Sequence, residues 1–418
     1  MATVAQAGTQ AAPITRRYEL TLLLLLTLAN GVVAFDRLTV AFLAPYIVAD
    51  LGLSNAEVGW LAGALSGAVA LSAFFGGRLA DRTGRRKTIL IICTLVFSLG
   101  SGAGGLALTF TTLLAARFAL GIAEGPMVPI GQTVIAETSK PERRGVNMGF
   151  MQMVGAFGLA GFLGPIVATQ LADDHGWRTA MFLSILPGLL LVALLAVFMR
   201  PDPKIAPVQD EAASNFVQAL RTLLGLRNMR VALAVAACVT AWLVLQNTFL
   251  SLFLTEDKGL SPTTAGWVIS MGGIAGIVGG IGLPFLSDRI GRKPVLIFGS
   301  LACVGSPLAL LLLPGDPTLL AGAILIGWLP LGIAPLYCAT VPAESVSPAL
   351  ATTAVGLSMG TAEFVGGVIL PPVAGEVADT YGLSSVFMIC IALALLAGFA
   401  ALFLKETAPR IAGAPKEA

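Results

Sequence analysis

Twelve apolar stretches, each long enough to cross a bilayer, restrict the fold of this chain more than any other feature. A spanning helix needs about 20 mostly apolar residues, because lipid offers no partners to an open backbone. The stretches lie at about 19–48, 56–77, 88–109, 112–136, 146–171, 178–199, 230–254, 262–286, 294–313, 317–341, 350–375 and 384–404. The sequence therefore predicts an all-α polytopic membrane protein with twelve transmembrane helices.

The charge content excludes the soluble alternatives. Only 11% of the 418 residues are charged, whereas an average soluble protein carries about 25%. So few charges cannot cover the surface of a soluble 42.9 kDa particle, and a disordered chain would be far more polar. The net charge of +2 gives no reason to expect a nucleic-acid partner.

The basic residues indicate an orientation. Arg37 and Arg117 lie inside predicted spans, and Arg178 and Lys258 lie in loops on one side of the membrane. The remaining 21 of the 25 Lys and Arg residues fall on the opposite side. Because basic loops stay in the cytoplasm, both termini are predicted to be cytoplasmic. We expect a multi-pass protein of a bacterial cytoplasmic (inner) membrane.

The spans divide into two groups of six around a polar, proline-containing segment. The predicted organisation is a cytoplasmic tail (1–18), a six-helix bundle (19–199), a cytoplasmic linker (200–229), a second six-helix bundle (230–404) and a cytoplasmic tail (405–418).

The two halves share residues at one constant offset of 207 positions. The matching pairs are Trp60 and Trp267, Asp81 and Asp288, Arg85 and Arg292, Glu137 and Glu344, and Gly149 and Gly356. A constant offset over seven helices indicates a tandem duplication in parallel orientation. Duplicated bundles with a binding site at their interface are typical of transporters that work by rocking one half against the other.

The loop between spans two and three carries a family motif. Residues 77–87 read GRLADRTGRRK, and 282–293 form a weaker second copy. This loop resembles that of the major facilitator superfamily, and the resemblance covers essentially the whole chain. It implies two pseudo-symmetric six-helix bundles, and it implies gating roles at the cytoplasmic side for Asp81, Arg85, Asp288 and Arg292. The alternative is that these residues only anchor the loops at the membrane surface.

Local motifs resemble one branch of that superfamily, the anion:cation symporters. Its marks are Asp36-Arg37 in span one, Arg117 and Glu124 in span four, Pro141-Glu142-Arg143-Arg144-Gly145, and Gly176-Trp177-Arg178. The resemblance implies transport of sugar acids, other small carboxylates or phosphate, usually with protons. The lipid-transporting spinster branch has a similar Asp-Arg pair in span one.

Five ionisable residues at membrane depth are the candidate mechanism, because such groups are costly in lipid. They are Asp36, Arg37, Arg117, Glu124 and Glu363. An arginine stays charged and presents a fork that matches a carboxylate, so Arg37 and Arg117 are predicted to bind the substrate. Burial favours the neutral form of a carboxyl group, so Asp36, Glu124 and Glu363 are predicted to carry protons. The alternative is that the four charged residues of spans one and four form two purely structural ion pairs.

The charges of the first half have no counterparts at the 207-residue offset, where Leu243, Val244, Ile324 and Leu331 stand. We therefore expect polar and aromatic side chains to recognise the rest of the substrate. The predicted contacts are Asn30, Phe35, Gln152, Trp242, Gln246, Asn247, Tyr337 and Glu363. For the aromatic residues, helix packing is the alternative, and Glu363 could instead be a packed neutral acid.

Together these features predict proton-coupled symport (uptake) of a small organic anion, such as a sugar acid or other monocarboxylate, by alternating access. The alternative is a proton-coupled exporter of drugs or lysolipids, as in the spinster branch. An enzyme or receptor would need a catalytic set or a soluble module, and neither is evident in the sequence. We expect no cofactor other than the coupling proton, no metal, a lipid bilayer as surroundings and a monomeric chain.

Overall fold

The computed structural model describes residues 15–140, 143–202 and 216–412. Twelve helices long and apolar enough to cross a membrane occur there, and no β-strand does, so the predicted fold class is confirmed. They are α1 (Arg16–Phe42), α2 (Asn55–Ala80), α3 (Arg86–Gly104), α4 (Phe110–Thr138), α5 (Arg144–His175), α6 (Trp177–Phe198), α7 (Arg227–Glu256), α8 (Pro262–Ile290), α9 (Arg292–Leu312), α10 (Pro317–Glu344), α11 (Leu350–Tyr381) and α12 (Ser384–Leu402).

Two boundaries differ from the predicted ones. The first span ends at Phe42, and a separate short helix, Ala44–Leu51, follows. Pro45 explains the break, because proline lacks a backbone donor and clashes with the carbonyl four residues earlier. The predicted linker contains a helix at Phe216–Gly225, and α7 begins directly after it. Residues 203–215 of the linker, 1–14 of the first tail and 413–418 of the last lie outside the described part of the chain.

The repeat extends to backbone conformation. Gly52 and Gly259 have φ of 64° and 71°, and Gly84 and Gly291 have φ of 65° and 107°. Both pairs keep the 207-residue offset. These angles lie in the left-handed region, which favours glycine because a Cβ would clash there. The duplication has therefore preserved the turns that end corresponding helices.

Two corresponding spans, α5 and α11, are not α-helical throughout. Met151–Leu163 in α5 and Glu363–Ile369 in α11 form π-helix. Such segments are rare and are frequent at functional sites. The second one starts at Glu363, one of the predicted site residues.

Contacts between the halves close one face of the bundle. We call the face where α1 begins and α12 ends the terminal face, and the opposite face the distal face. At the distal face Asp379 accepts hydrogen bonds from the backbone N–H groups of Asn55 and Ala56, at 2.7 and 2.9 Å. Nearby, Gly59 lies so close to the carbonyl oxygen of Pro371 that a Cβ would stand 2.2 Å from it. The distal face is therefore closed by contacts across the two halves.

On the terminal face, a carboxylate after the last span of each half caps the third helix of that half. Asp202 accepts hydrogen bonds from the N–H groups of Lys87 and Thr88, at 2.6 and 3.1 Å. Glu406 accepts hydrogen bonds from Arg292 and Lys293 at 2.8 and 3.1 Å. An anion is favourable at a helix N-terminus, where backbone donors lack partners.

Replacement of Glu406 by alanine should lower the free energy of unfolding by about 1 kcal/mol, the usual cost of losing a helix cap. Partial burial opposes ionisation of Glu406, but its backbone hydrogen bonds hold its pKa below the usual value. The stabilisation is therefore present at neutral pH and is lost as the pH falls through that lowered pKa. Thermal unfolding of purified protein at neutral and acidic pH measures both effects. The exposed Glu376→Ala variant is the control, and equal unfolding temperatures for the two variants would contradict the capping role.

Candidate functional site

A cavity of about 210 Å³ lies between the two halves. Both bundles line it, and aliphatic side chains form most of its wall. The lining residues are Arg37, Leu38, Val40, Ala41, Val58, Leu61, Ala62, Leu65, Ser66 and Arg117 of the first half, with Thr240, Leu243, Val244, Asn247, Thr248 and Glu363 of the second. Four of the predicted contact residues therefore line this space, namely Arg37, Arg117, Asn247 and Glu363.

Arg37 lies at the border between the cavity and a buried acid. Its Nε atom is 3.6 Å from Oε2 of Glu124. The side chain of Arg37 is about one-third exposed, whereas that of Glu124 is fully buried. Neither carboxyl oxygen of Glu124 has a hydrogen-bond partner, so this ion pair is the closest charge compensation described for it. A charged group held this loosely is available for exchange with another partner.

Arg117 is held differently. Its two terminal nitrogens donate to the backbone carbonyl oxygens of Asp36 and Arg37, at 3.2 and 2.6 Å. Only 5% of the residue is exposed, although it borders the cavity. Arg117 therefore ties α4 to the backbone of α1 at the point where Arg37 projects. Of the two predicted substrate arginines, Arg37 is the one whose side chain is open to the cavity.

Asp36 does not line the cavity. It is buried inside the first bundle, where the hydroxyl of Ser101 donates to its Oδ1 atom. Ser101 in turn lies 2.7 Å from Ser184, oxygen to oxygen. Asp36 and Glu124 are electrostatic neighbours of each other and of Arg117. The four charged residues of the first half thus form one cluster, and Arg37 connects it with the cavity.

The second half contributes one acid, Glu363. It is half-buried and makes no hydrogen bond or ion pair within the described residues. Its Oε1 atom and the hydroxyl of Ser66 lie 3.1 and 2.9 Å from the point where a Cβ would stand on Gly367. Because Gly367 has no side chain, Ser66 of α2 can approach Glu363.

Several predicted contacts pack elsewhere. Asn30 donates to the Met151 carbonyl and to Gln152, at 3.1 and 3.2 Å, and so joins α1 to α5 outside the cavity. Phe35 packs against Gly164, also on α5. These three side chains make contacts inside the first bundle and do not line this cavity, so their predicted role in substrate binding stays a prediction.

Three predicted contact residues of α7 and α10 likewise lie outside the cavity lining. Trp242 is fully buried and donates to the carbonyl oxygen of Cys303 at 3.0 Å. Gln246 accepts from Ser306 at 3.0 Å and from Trp328 at 3.2 Å. Tyr337 is also buried, at 2% exposure, and lies outside the cavity lining. All three belong to the packing of the second bundle.

Helix geometry explains which residues of α7 face the cavity. The lining positions 240, 243, 244, 247 and 248 are spaced by three and four residues and form one face. Trp242 and Gln246 fall on another face. Three polar residues of the cavity lining escaped the sequence analysis, namely Ser66, Thr240 and Thr248. Helical steps of three and four residues along α7 from Asn247 would have placed Thr240 and Thr248 on the same face.

Two of the predicted gating residues, Asp288 and Arg292, bond within their own half. Arg292 donates to Asp288 at 2.5 Å and to Glu344 at 3.0 Å. In the first half Arg86 pairs with Glu137, while Arg85 is exposed. The side chain of Asp81 lies outside the described part of the chain. This network holds helices together at the terminal face of each bundle.

Comparison with known proteins gives a consistent result. The family model of the Major Facilitator Superfamily matches residues 26–359 and 233–418. The putative niacin/nicotinamide transporter NiaP of Bacillus subtilis (strain 168) is 27% identical over 89% of this chain and 93% of its own length. The hexuronate transporter of the same organism is 27% identical over 96% of this chain and 98% of its own length. A crystal structure of a mutant nucleoside transporter NupG superposes with a TM-score of 0.77 at 18% identity, covering 93% of this chain and all of that one.

Cysteine labelling tests the two faces of α7. The five native cysteines are first replaced by serine, and Asn247→Cys and Gln246→Cys are made in that background. A small charged methanethiosulfonate reagent should modify the cavity-facing Cys at position 247 and leave the packed one at 246 unmodified. Mass spectrometry of the intact protein measures both. Equal labelling of the two positions would contradict the cavity assignment.

Proposed function

Given that the chain belongs to the Major Facilitator Superfamily, we propose that it imports a small organic anion together with protons. The family and its matched relatives are transporters, so the enzyme alternative is set aside. The names of two relatives, a niacin and a hexuronate transporter, support an organic acid as substrate. The observation that carries the proposal is Arg37, an arginine open to the central cavity and loosely paired with the buried Glu124.

The proposed orientation places the terminal face in the cytoplasm of a bacterial cell. The excess of Lys and Arg residues on that face supports it, because basic loops resist translocation. With the distal face closed across the halves, the cavity then belongs to the inward-facing state of the transport cycle. The cavity is complete within one chain, which supports a monomer as the transporting unit.

The proposed substrate is a small monocarboxylate that also carries a hydroxyl or another polar group. Its carboxylate would bind the guanidinium of Arg37, whose planar fork suits that group. The aliphatic residues of the cavity wall would cover the body of the substrate. Asn247 and Glu363 would accept or donate hydrogen bonds at its other end, and Glu363 fits a hydroxyl or amino group because it lacks a partner in the protein.

The proposed coupling follows from charge balance. Two arginines and two carboxylates make the buried cluster of Asp36, Arg37, Arg117 and Glu124 neutral when all four are ionised. An anion bound to Arg37 would leave this cluster with an excess negative charge, which is costly in a membrane interior. One proton on Glu124 or Asp36 removes the excess and frees Arg37 from its acid. The anion and the proton therefore favour each other's binding, which is the requirement for symport.

The proposed gate consists of Asp81, Arg85, Asp288 and Arg292 at the terminal face. Asp288 and Arg292 already join helices of the second bundle, so their network can move as a unit. Closure of the terminal face would bring the two loop regions together while the contacts of Asp379 at the distal face break.

Uptake into proteoliposomes tests the proposal. With acid outside, we expect nicotinate, a hexuronate or another monocarboxylate from a panel with dicarboxylates and zwitterions to accumulate. Asp36→Asn and Glu124→Gln should abolish this accumulation, because neither variant can take up the coupling proton. Glu376→Gln, an exposed carboxylate of α11, is the matched control and should transport normally. Proton-driven export of the same solutes would contradict symport, and unchanged pH dependence in both variants would contradict the coupling assignment.

Arg37→Lys should weaken substrate binding by about tenfold or more, because lysine cannot form the two parallel hydrogen bonds of the guanidinium. Arg117→Lys should act mainly on stability, since Arg117 binds the backbone of α1. The KM for uptake and the unfolding temperature of each variant separate the two effects. An unchanged KM in Arg37→Lys would make Arg37 a structural residue.

A further inference from the structure

A chain of two serine hydroxyls leads from Asp36 away from the cavity. Ser101 on α3 donates to Oδ1 of Asp36, and the Ser184 hydroxyl on α6 lies 2.7 Å from that of Ser101. Ser184 is also 2.7 Å from the carbonyl oxygen of Met181, to which it can donate. All these side chains are buried, so no bulk water competes with the contacts.

The hydroxyls have a second possible orientation when the proton of Asp36 is on Oδ1, the atom that Ser101 contacts. Each serine has a single hydroxyl proton to donate. When Asp36 is ionised, Ser101 donates to it and Ser184 can donate to Ser101. When Oδ1 of Asp36 is protonated, it donates to Ser101, Ser101 donates to Ser184, and Ser184 donates to the Met181 carbonyl. A proton on Oδ1 therefore reverses the direction of the chain.

We propose that Ser101 and Ser184 are positioning residues that satisfy Asp36 in both of its charge states and so make it a reversible proton site. A buried polar group without a partner is costly, and a fixed donor or acceptor would favour one state only. Two hydroxyls in series keep every member bonded in either state. The inference rests on the proposed role of Asp36 in proton coupling, and it places this role in the first bundle, outside the substrate cavity.

The surroundings of Asp36 allow this assignment to be tested cleanly. The charged groups that face it are Arg117 and Glu124 on α4, with Arg37 beside it on α1. The other helices packed against this part of α1 carry no Asp, Glu, Lys, Arg or His at this depth. The segments concerned are 89–104 of α3, 151–172 of α5, 179–198 of α6 and 231–255 of α7.

The two serines are expected to have opposite effects. Without the Ser101 hydroxyl, ionised Asp36 loses the hydrogen bond donated to its Oδ1 atom, so the proton should be held to higher pH. Without the Ser184 hydroxyl, the protonated arrangement loses two hydrogen bonds and the ionised one loses only one, so the proton should be released at lower pH. A purely structural role for either serine would not produce shifts of opposite sign.

Difference infrared spectroscopy of the purified full-length protein measures this without any substrate. The carboxyl band of Asp36 is assigned by its loss in Asp36→Asn, and its midpoint pH is followed in wild type, Ser101→Ala and Ser184→Ala. We expect the midpoint to rise by about one pH unit in Ser101→Ala, the size of one hydrogen bond to a charged group, and to fall in Ser184→Ala. Ser101→Thr keeps the hydroxyl and should restore the wild-type midpoint.

Ser98→Ala is the matched control, because Ser98 lies one turn away on α3, is buried, and donates only to the Thr94 carbonyl of its own helix. It should leave the midpoint unchanged.

Shifts of the same sign in both alanine variants, or shifts no larger than in the control, would overturn the proposal. So would an Asp36 that keeps one charge state over the whole pH range in which the protein is folded. If Ser101→Ala does not fold, the downward shift in Ser184→Ala and the Ser101→Thr midpoint still decide the question. This experiment measures no transport, so its outcome does not depend on whether the symport assay succeeds.

Discussion

The structure depends on keeping buried charge balanced in a membrane interior. Four ionisable residues of the first bundle compensate one another, and only the loose pair of Arg37 with Glu124, at 3.6 Å, borders the cavity. The guanidinium of Arg117 donates hydrogen bonds to the backbone of α1 and so fixes the place where Arg37 projects. A neutral cluster with one exchangeable contact can accept an anion only if a proton comes with it. The proposed coupling is a consequence of this balance.

The duplication separates scaffold from chemistry. Gly52 and Gly84 keep the 207-residue offset to Gly259 and Gly291, and the ion pair of Arg292 with Glu344 has its counterpart in that of Arg86 with Glu137, one residue off this offset. The carboxylates that cap the third helix of each half, Asp202 and Glu406, are 204 residues apart, so their correspondence is visible only in three dimensions. The charged cluster has no copy in the second half, where Leu243 and Val244 line the cavity at the positions corresponding to Asp36 and Arg37. The repeated features build the bundles, and the unrepeated ones are candidates for substrate and proton binding.

The sequence predicted the twelve helices, the superfamily and the depth of the charged residues, because apolar length and charge scarcity act locally along the chain. It did not distinguish the faces of α7 well: Asn247 reaches the cavity, whereas Trp242 and Gln246 are packed inside the second bundle. Ser101 and Ser184 escaped notice because a serine in an apolar helix is common, and their 83-residue separation hides the contact. Such meetings depend on how helices pack, and one sequence does not specify that packing.

The location of each group determines what can change during transport. Asp36, Ser101, Ser184, Arg117 and Glu124 all belong to the first bundle, so rocking of one half against the other leaves their contacts intact. Arg37 and Glu363 belong to different bundles, and their separation must change with each half-cycle. The proposed proton site is thus inside one bundle, whereas the proposed substrate site lies between the two bundles. Coupling then requires a residue that contacts both, and in the described part of the chain Arg37 meets this requirement through Glu124 on one side and the cavity on the other.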